Sequence, residues 1–305
     1  MAVSALQQKT THRGPCLASL NGYDVIACTD CGFAHVVPLP VPETLTTVYQ
    51  EDYYTQEKPA YLAHAREDAQ WASLGYDDQL ALIAEYSARA ERRLLDIGCG
   101  PGFFLQRAQS QGWTVEGIEP SRQAANHARG LGIAVRNAFF SDSLLTELES
   151  FPAIRMMNVL EHIPDPLAFL HRATSLLPKG GVLLAGVPND FNPVQMLLRQ
   201  KREVAPWWVA PPHHLNYLNF ESLEHILKAV GLTPRGRLTS FPMELFIALG
   251  ENYIGDPQLG RACHLQRKAL DLDLEESAPG KRRALYTALA QAGFGREAIV
   301  LAVKN

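Results

Sequence analysis

LLDIGCGPGFF, residues 94–104, joins a short apolar run to a turn that contains three glycines. The run indicates a buried β-strand, and the residues after the turn indicate an α-helix. Gly98, Gly100 and Gly102 permit positive φ angles and let the backbone approach a ligand closely. The dinucleotide fingerprint is G-x-G-x-x-G, but here the third glycine comes one residue early and Phe103 takes its place. The turn is therefore predicted to bind a ligand without a diphosphate.

Two carboxylates lie in register with this turn. Asp96 comes two residues before Gly98, where it would repel a pyrophosphate and suit an ammonium group. Glu119 ends the next predicted strand, TVEGIEP (114–120), about 20 residues after Gly98, the spacing at which a strand-end carboxylate binds a ribose diol. The presence of both carboxylates favours a ligand-binding turn over a strand–helix turn with a purely structural role. A ribose and an amino-bearing tail without a diphosphate are the features of S-adenosylmethionine.

Strand and helix patterns alternate along the rest of this region. We predict strands over 133–138, 154–160, 182–188 and 235–241, and helices over 103–112, 121–132, 165–181 and 219–231. Ser121, Asp165 and Asn219 are the predicted N-caps of the last three helices. Such alternation predicts a parallel sheet with helices on both faces.

Three motifs, LLDIGCGPG, GIEPS (117–121) and NVLEHIPDP (158–166), resemble those of class I S-adenosylmethionine-dependent methyltransferases. The resemblance covers residues 91–240, and residues 298–304 would supply the final antiparallel strand of that family. It implies an α/β fold, a Rossmann-like, doubly wound, mostly parallel sheet of seven strands with an antiparallel last strand.

The resemblance also implies roles for single residues. Asp96 and the turn Gly98–Gly102 would hold the methionine part, Glu119 would bind the ribose hydroxyls, and the region 137–142 would contact the adenine. The implied cofactor-binding residues are Asp96, Gly98, Cys99, Gly100, Gly102, Phe103, Glu119, Pro120, Phe139, Phe140 and Asn158.

The N-terminal residues contain a possible metal site. CTDCGF (28–33) resembles half of a zinc ribbon, and a tetrahedral zinc ion needs two ligands beyond Cys28 and Cys31. Cys16 with either His12 or His35 would complete a Cys₃His site. Some sugar methyltransferases carry a ribbon with two Cys-x₂-Cys pairs, from which this sequence departs. A ribbon that has lost its metal is the alternative, and a bound zinc would be structural.

The stretch APPHHLNYLNF (210–220) supplies the candidate proton acceptors. Histidine is the usual base at neutral pH. In similar sugar methyltransferases a Glu-His pair lies in the equivalent position, so His214 would match the histidine while His213 replaces the acid. His162 is the second choice.

The preferred function is O-methylation of a small-molecule acceptor, with C-methylation of a keto-sugar nucleotide and non-catalytic adenosylmethionine binding as alternatives.

A helical insertion is predicted before the last strand. Arg261, His264 and Arg267 follow one another at three-residue steps on one helix and could receive an anionic or sugar-linked acceptor, although a solvated helix face is an equal interpretation.

The predicted organisation has five parts: a zinc-ribbon-like module (1–43), a helical linker and cofactor-covering segment (44–92), the methyltransferase core (93–242), the insertion (243–296) and the final strand (297–305).

The chain has 305 residues, 47% of them hydrophobic, and a formal charge of −4, which disfavours nucleic acid as a partner. We see neither a signal-peptide layout nor a long apolar segment, and so predict a cytoplasmic protein with no membrane partner. No pattern indicates an oligomeric state.

Overall fold

Two β-sheets organise the computed structural model, which describes residues 12–40, 61–87 and 91–305. The strands are β1 (Cys16–Leu20), β2 (Tyr23–Ala27), β3 (Ala34–Val37), β4 (Arg93–Ile97), β5 (Thr114–Ile118), β6 (Ala134–Arg136), β7 (Ala153–Met157), β8 (Val182–Pro188), β9 (Asn216–Tyr217), β10 (Leu232–Leu238) and β11 (Glu297–Lys304). The large sheet has the order β10-β11-β8-β7-β4-β5-β6, and the small sheet has the order β1-β2-β3-β9.

The helices surround the large sheet. They are α1 (Tyr61–Glu67), α2 (Ala69–Tyr86), α3 (Phe103–Ser110), α4 (Arg122–Gly130), α5 (Asp142–Leu145), α6 (Pro166–Ser175), α7 (Pro193–Arg202), α8 (Phe220–Ala229), α9 (Glu244–Leu249), α10 (Pro257–Ser277) and α11 (Lys281–Gln291), with a short 3₁₀ helix over Leu160–His162. The predicted caps are confirmed, because Ser121, Asp165 and Asn219 each accept a backbone hydrogen bond at the start of a helix.

The predicted fold class is confirmed. Strands β4, β5, β6, β7 and β8 run parallel to one another, whereas β11 runs antiparallel to both β8 and β10. Side chains alternate across the sheet, so Leu94 joins the cluster that includes α2 and α3, and Leu95 joins the cluster that includes α6 and α8. Burial on both faces explains the continuous apolar runs that marked these strands in the sequence.

The glycine turn has the backbone geometry expected of it. Gly98 and Gly102 have φ values of +77° and +86°. A Cβ atom on Gly98 would lie 2.5 Å from a methyl carbon of Val159, and one on Gly102 would lie 2.7 Å from Cβ of Ala128. Glycine is therefore required at both positions by conformation and by space.

The small sheet joins the N-terminal residues to residues 210–220, which we call the histidine stretch. Strand β3 pairs with β9 so that His35 lies opposite Asn216 and Ala34 opposite Tyr217. The N-terminal strands thus pack directly on the segment that carries His213 and His214, although the two are far apart in the sequence.

Two sequence expectations need correction. No helix is predicted within residues 191–218, but they contain helix α7, which begins after Asn192. The Asn192 side chain accepts hydrogen bonds from the amides of Val194 and Gln195. Asn followed by Pro is a typical helix start, and that signal was missed. The predicted strand over 235–241 runs instead from Leu232 to Leu238. Residues 44–60 and 88–90 of the predicted helical linker lie outside the described residues.

Within residues 12–40, 61–87 and 91–305, no helix combines the length and the apolar character needed to cross a bilayer.

A buried ion pair lies beneath the glycine turn. Nη1 of Arg155 on β7 donates to both carboxylate oxygens of Asp96 on β4, at 2.9 and 2.8 Å, and Nε donates to Gln79 at 2.8 Å. Cζ of Arg155 also lies 3.8 Å from the ring centroid of Phe104. Burial raises the pKa of the Asp96 carboxyl, and Arg155 opposes that rise. The pair thus joins two neighbouring strands and helices α2 and α3.

We expect Arg155→Met to destabilise the protein by about 3–5 kcal/mol, because it leaves a buried carboxylate without its ion-pair partner. Urea denaturation measures the change. The control is Arg172→Met, which breaks the more exposed pair with Asp142 and should cost at most about 1 kcal/mol. Equal losses in both variants would contradict this assignment.

Candidate active site

A cavity of about 750 Å³ opens at the edge where the parallel strands end. This edge is where open α/β sheets bind their ligands, and the volume lies in the upper part of the range for small-molecule sites. Most of the predicted cofactor-binding residues line it, namely Gly98, Cys99, Gly100, Phe103, Glu119, Pro120, Phe139, Phe140 and Asn158. Asp96 and Gly102 lie behind this wall: Asp96 faces Arg155, and Gly102 begins helix α3.

Glu119 is held against the glycine turn by its carboxylate. Oε2 accepts a hydrogen bond from the amide of Gly100 at 2.8 Å, and Oε1 accepts one from the amide of Ser121 at 2.9 Å. The pKa of Glu119 is raised to about 7, because burial outweighs these two hydrogen bonds. The group can therefore change its charge near neutral pH while it faces a ligand cavity.

An aromatic pair lies on the far side of Glu119. Phe139 is 40% exposed, whereas Phe140 is buried and packs edge-on against Phe169. Nδ2 of Asn137 donates to the carbonyls of Glu119 and Pro120, both at 2.9 Å. These bonds fix the start of the region 137–142 beside the end of β5. Phe139 thus has the exposed ring that is available to stack on a planar group.

The three candidate histidines occupy different positions. Of the three, His162 alone lines the cavity. Its Nδ1 donates to the main-chain carbonyl of His213 at 2.8 Å, which leaves the lone pair of the neutral ring on Nε2. Nε2 lies 3.7 Å from Oε1 of the buried Glu161, and the ring of His214 lies edge-on with a centroid distance of 5.1 Å.

This arrangement can perform two kinds of chemistry. A carboxylate beside an oriented imidazole would stabilise a proton that the ring accepts, as in general-base catalysis. Ligand atoms of Glu161, His162 and His214 also lie within 4.8 Å of one another, so the same set could hold a metal ion. The orientation of His162 depends on a carbonyl distant in sequence, which no local pattern indicates.

Only one of the three residues predicted to form a cationic face on the inserted helix lines the cavity. Of the three residues proposed there, Arg267 lines the cavity, whereas Arg261 pairs with Glu67, and Nε2 of His264 lies 2.9 Å from Oδ2 of Asp68. Sequence reasoning missed the cavity residues Trp71, Arg155, Thr239, Ser240 and Arg296, because they come from segments that only the tertiary fold brings together.

A second cluster lies in the N-terminal module. His12, Cys28, Cys31 and His35 place one ligand atom each within 4.8 Å of the others. Nδ1 of His12 lies 3.6 Å from Sγ of Cys28 and 3.4 Å from Sγ of Cys31, and a tetrahedral zinc ion would separate such S and N atoms by about 3.6 Å.

His35 completes the donor set. Its Nδ1 donates to the carbonyl of Val36 at 2.9 Å, while its buried Nε2 has no hydrogen-bond partner among the described residues. A backbone carbonyl on the second ring nitrogen is typical of a zinc-bound histidine. The residues present therefore fit a zinc ion. Cys16, the third cysteine of the predicted Cys₃His site, lies outside this cluster: it is exposed, and its thiol lies 3.4 Å from the carbonyl of Ala18. The four grouped residues are two cysteines and two histidines.

Comparisons with known proteins agree with this fold. A family model described as a methyltransferase domain matches residues 62–235. The chain is 34% identical over 128 residues to a ubiquinone biosynthesis O-methyltransferase of Caulobacter sp. strain K31, which covers 40% of this chain and 51% of the relative. A relative of the same name from Dinoroseobacter shibae is 32% identical over 151 residues, covering 47% and 60%. The chain thus spans about half the length of the curated relatives it matches.

Solved structures share the architecture. Magnesium protoporphyrin IX methyltransferase from Synechocystis, with bound S-adenosylhomocysteine, superposes with a TM-score of 0.52 and 12% identity, covering 86% of this chain and all of that one. A S-adenosylmethionine-dependent methyltransferase from Archaeoglobus fulgidus gives 0.51 and 17%, covering 80% and 99%. At these identities the likeness shows the fold. Together with the family match over more than half of the chain, it shows that the chain belongs to the class I S-adenosylmethionine-dependent methyltransferase family.

Proposed function

We propose that the protein transfers a methyl group from S-adenosylmethionine to a hydroxyl of a small-molecule acceptor. The observation that carries this proposal is the position of Glu119, whose carboxylate lies beside the glycine turn in the wall of the large cavity. Membership of the family and the name O-methyltransferase of its relatives support it. C-methylation of a keto-sugar, the alternative from the sequence, has no such support.

Three features beside β4 and β5 would each bind one part of the cofactor. The residues fit it, because the glycine turn, the carboxylate of Glu119 and the ring of Phe139 lie in the cavity wall and match the places of a methionine tail, a ribose diol and an adenine. S-adenosylmethionine supplies the methyl group as a sulfonium carbon. The protein contributes alignment of the acceptor oxygen, exclusion of water and removal of a proton.

His162 is the base that we propose. It lines the cavity, its Nδ1 is engaged by a carbonyl, and Nε2 is on the side of Glu161, which would stabilise the protonated ring. This choice differs from the first expectation, His214, because His213 and His214 lie outside the cavity wall. His214 packs against the ring of His162 and would position it.

We also propose a structural zinc ion in the N-terminal module, held by His12, Cys28, Cys31 and His35. A closed set of four protein ligands leaves no open position for a substrate, which is typical of structural zinc. The ion would fix β3, and β3 pairs with β9 next to His214.

The first test of the proposal is cofactor binding. Isothermal titration with S-adenosylhomocysteine should show binding to the wild-type protein and at least about a tenfold loss of affinity in Glu119→Ala, because a charged hydrogen-bond acceptor is removed. Glu149→Ala, a surface control, should bind as the wild type does. No binding to the wild-type protein would refute the proposed function.

Binding should also depend on pH. Since the pKa of Glu119 is raised to about 7, the acceptor carboxylate is lost as the pH falls through that value. Affinity for S-adenosylhomocysteine should rise about tenfold from pH 6 to pH 8 if only the ionised form accepts the ribose hydroxyls. Glu119→Gln should remove this dependence, and an unchanged pH profile in that variant would assign the titration to another group.

The base is tested by turnover. A metabolite extract incubated with the enzyme and isotopically labelled S-adenosylmethionine identifies the acceptor by mass spectrometry. With that acceptor, His162→Ala should lower kcat by about 10²-fold or more while the affinity for S-adenosylhomocysteine is retained. His214→Ala should lose less, and His171→Ala, on the exposed side of α6, should lose nothing. A larger loss in His214→Ala than in His162→Ala would make His214 the base.

Metal content tests the zinc site. The purified protein should contain about one zinc per chain. Cys31→Ser should remove most of it, whereas Cys16→Ser, which changes an exposed cysteine outside the cluster, should retain it. Zinc lost equally from both variants would contradict the Cys₂His₂ assignment.

A further inference from the structure

The cavity extends well beyond the part that surrounds Glu119. Its other wall is formed by Thr239 and Ser240, which follow β10, and by Arg296 and Glu297 at the start of β11. Three strands, β4, β7 and β8, lie between β5 and β11 in the sheet. At about 4.8 Å per strand, β11 lies about 14 Å from β4 and its glycine turn. This region, the β10–β11 end of the cavity, is therefore separate from the proposed cofactor region.

Arg267 reaches the cavity from helix α10 in a fixed orientation. Its Cζ lies 4.6 Å from the ring centroid of Trp71, and its Nε donates to Nδ1 of His264 at 3.0 Å. His264 is in turn held by Asp68, with 2.9 Å between Nε2 and Oδ2. A stacked and tethered guanidinium presents its remaining N–H groups with little loss of rotamer freedom when a ligand binds.

Arg296 brings a second guanidinium to the same wall. Its main chain is fixed, because its amide donates to Ser240 and its carbonyl accepts from the amide of Asn189. Among residues 12–40, 61–87 and 91–305, its side chain makes no ion pair and no hydrogen bond. Burial and the nearby charge of Arg296 both lower the pKa of Arg267. The two cations are thus close enough to repel each other.

The acidic groups around the two arginines accept hydrogen bonds from neutral donors and not from the guanidiniums. Asp271 accepts hydrogen bonds from Nε1 of Trp71 at 2.7 Å and from the hydroxyl of Tyr286. Oε2 of Glu297 accepts one from the hydroxyl of Ser240 at 2.7 Å. The other two cavity arginines are paired, Arg155 with Asp96 and Arg282 with Asp78. The charges of Asp271 and Glu297 act on Arg267 from nearby, but neither carboxylate forms an ion pair with Arg267 or Arg296 among the described residues. The two guanidiniums therefore keep N–H groups with which to bind an anionic group of a ligand.

We propose that Arg267 and Arg296 bind an anionic group, a carboxylate or a phosphate, on the methyl acceptor. The rings of Trp71 and Tyr286 line the same part of the cavity and would pack against the organic body of that molecule. This assignment rests on the proposed function, since it takes the cofactor to lie over β4 and β5. It extends the proposal from any small hydroxyl compound to one that carries a negative charge.

Calorimetric titration with three small probes tests this assignment. Benzoate, phenyl phosphate and the neutral benzamide are titrated into the wild-type protein and into Arg267→Met, Arg296→Met and Arg261→Met, with and without saturating S-adenosylhomocysteine. Arg261 is the matched control, because it lies on the same helix but is paired with Glu67 outside the cavity. S-adenosylhomocysteine affinity in each variant reports whether the fold is intact.

The expected result is that an anionic probe binds the wild-type protein and the control more tightly than benzamide does. Its affinity should fall at least about tenfold in each of the two cavity variants, while benzamide is unaffected. The tighter of the two anions identifies the acceptor group as carboxylate or phosphate.

Two results would overturn the assignment. In one, neither anion binds the wild-type protein better than benzamide does. In the other, the cavity variants lose affinity for S-adenosylhomocysteine but not for the anions, which would assign the arginines to the carboxylate of the methyl donor. Failure of S-adenosylhomocysteine to bind the wild-type protein would refute the proposed function instead, and the titrations without it would still decide whether the anion site exists.

Discussion

The site depends on the hydrogen bonds that tie the glycine turn to strand β5. The amides of Gly98 and Cys99 both donate to the carbonyl of Ile118, at 2.8 and 3.1 Å, and the amide of Gly100 donates to the next side chain, Glu119. The parallel register of β4 and β5 places Ile97 beside Ile118, so that the turn and the acid leave the sheet at the same point. This constraint holds the glycine turn and the carboxylate on one cavity wall. It also explains why the glycines are needed, since the turn must approach both Val159 and helix α4 closely.

The features that the sequence predicted well are those specified by neighbouring residues. The caps at Ser121, Asp165 and Asn219, the glycine turn and the last strand all follow from local patterns, and the structure has them. The strand-end position of Glu119 follows from the spacing of a repeated strand–helix unit. These patterns were enough for the fold and for most of the cavity wall around the turn.

The features that the sequence did not predict depend on contacts between distant segments. His162 is oriented by a carbonyl of His213, and Asp96 is covered by an arginine from β7, so neither environment is visible in the local sequence. The predicted set took Cys16 with one histidine, whereas the fold groups both His12 and His35 with Cys28 and Cys31, which depends on how β1, β2 and β3 fold onto one another. In the insertion, equal spacing along one helix did not reveal that Arg267 faces the cavity while Arg261 pairs with Glu67.

The pairing of β3 with β9 has a consequence for how the chain is assembled during synthesis. The two strands of this pair are Ala34–Val37 and Asn216–Tyr217, so the small sheet lacks its fourth strand until the ribosome has added about 180 residues after β3. Domains usually fold as units from the N-terminus as they emerge. Here the first strands must wait for the middle of the large sheet, since the amide of Leu215 also donates to the carbonyl of Glu161 and the amide of Val36 to that of Leu215. Strands β1, β2 and β3 therefore complete their sheet only after residues 215–217 have docked on the core.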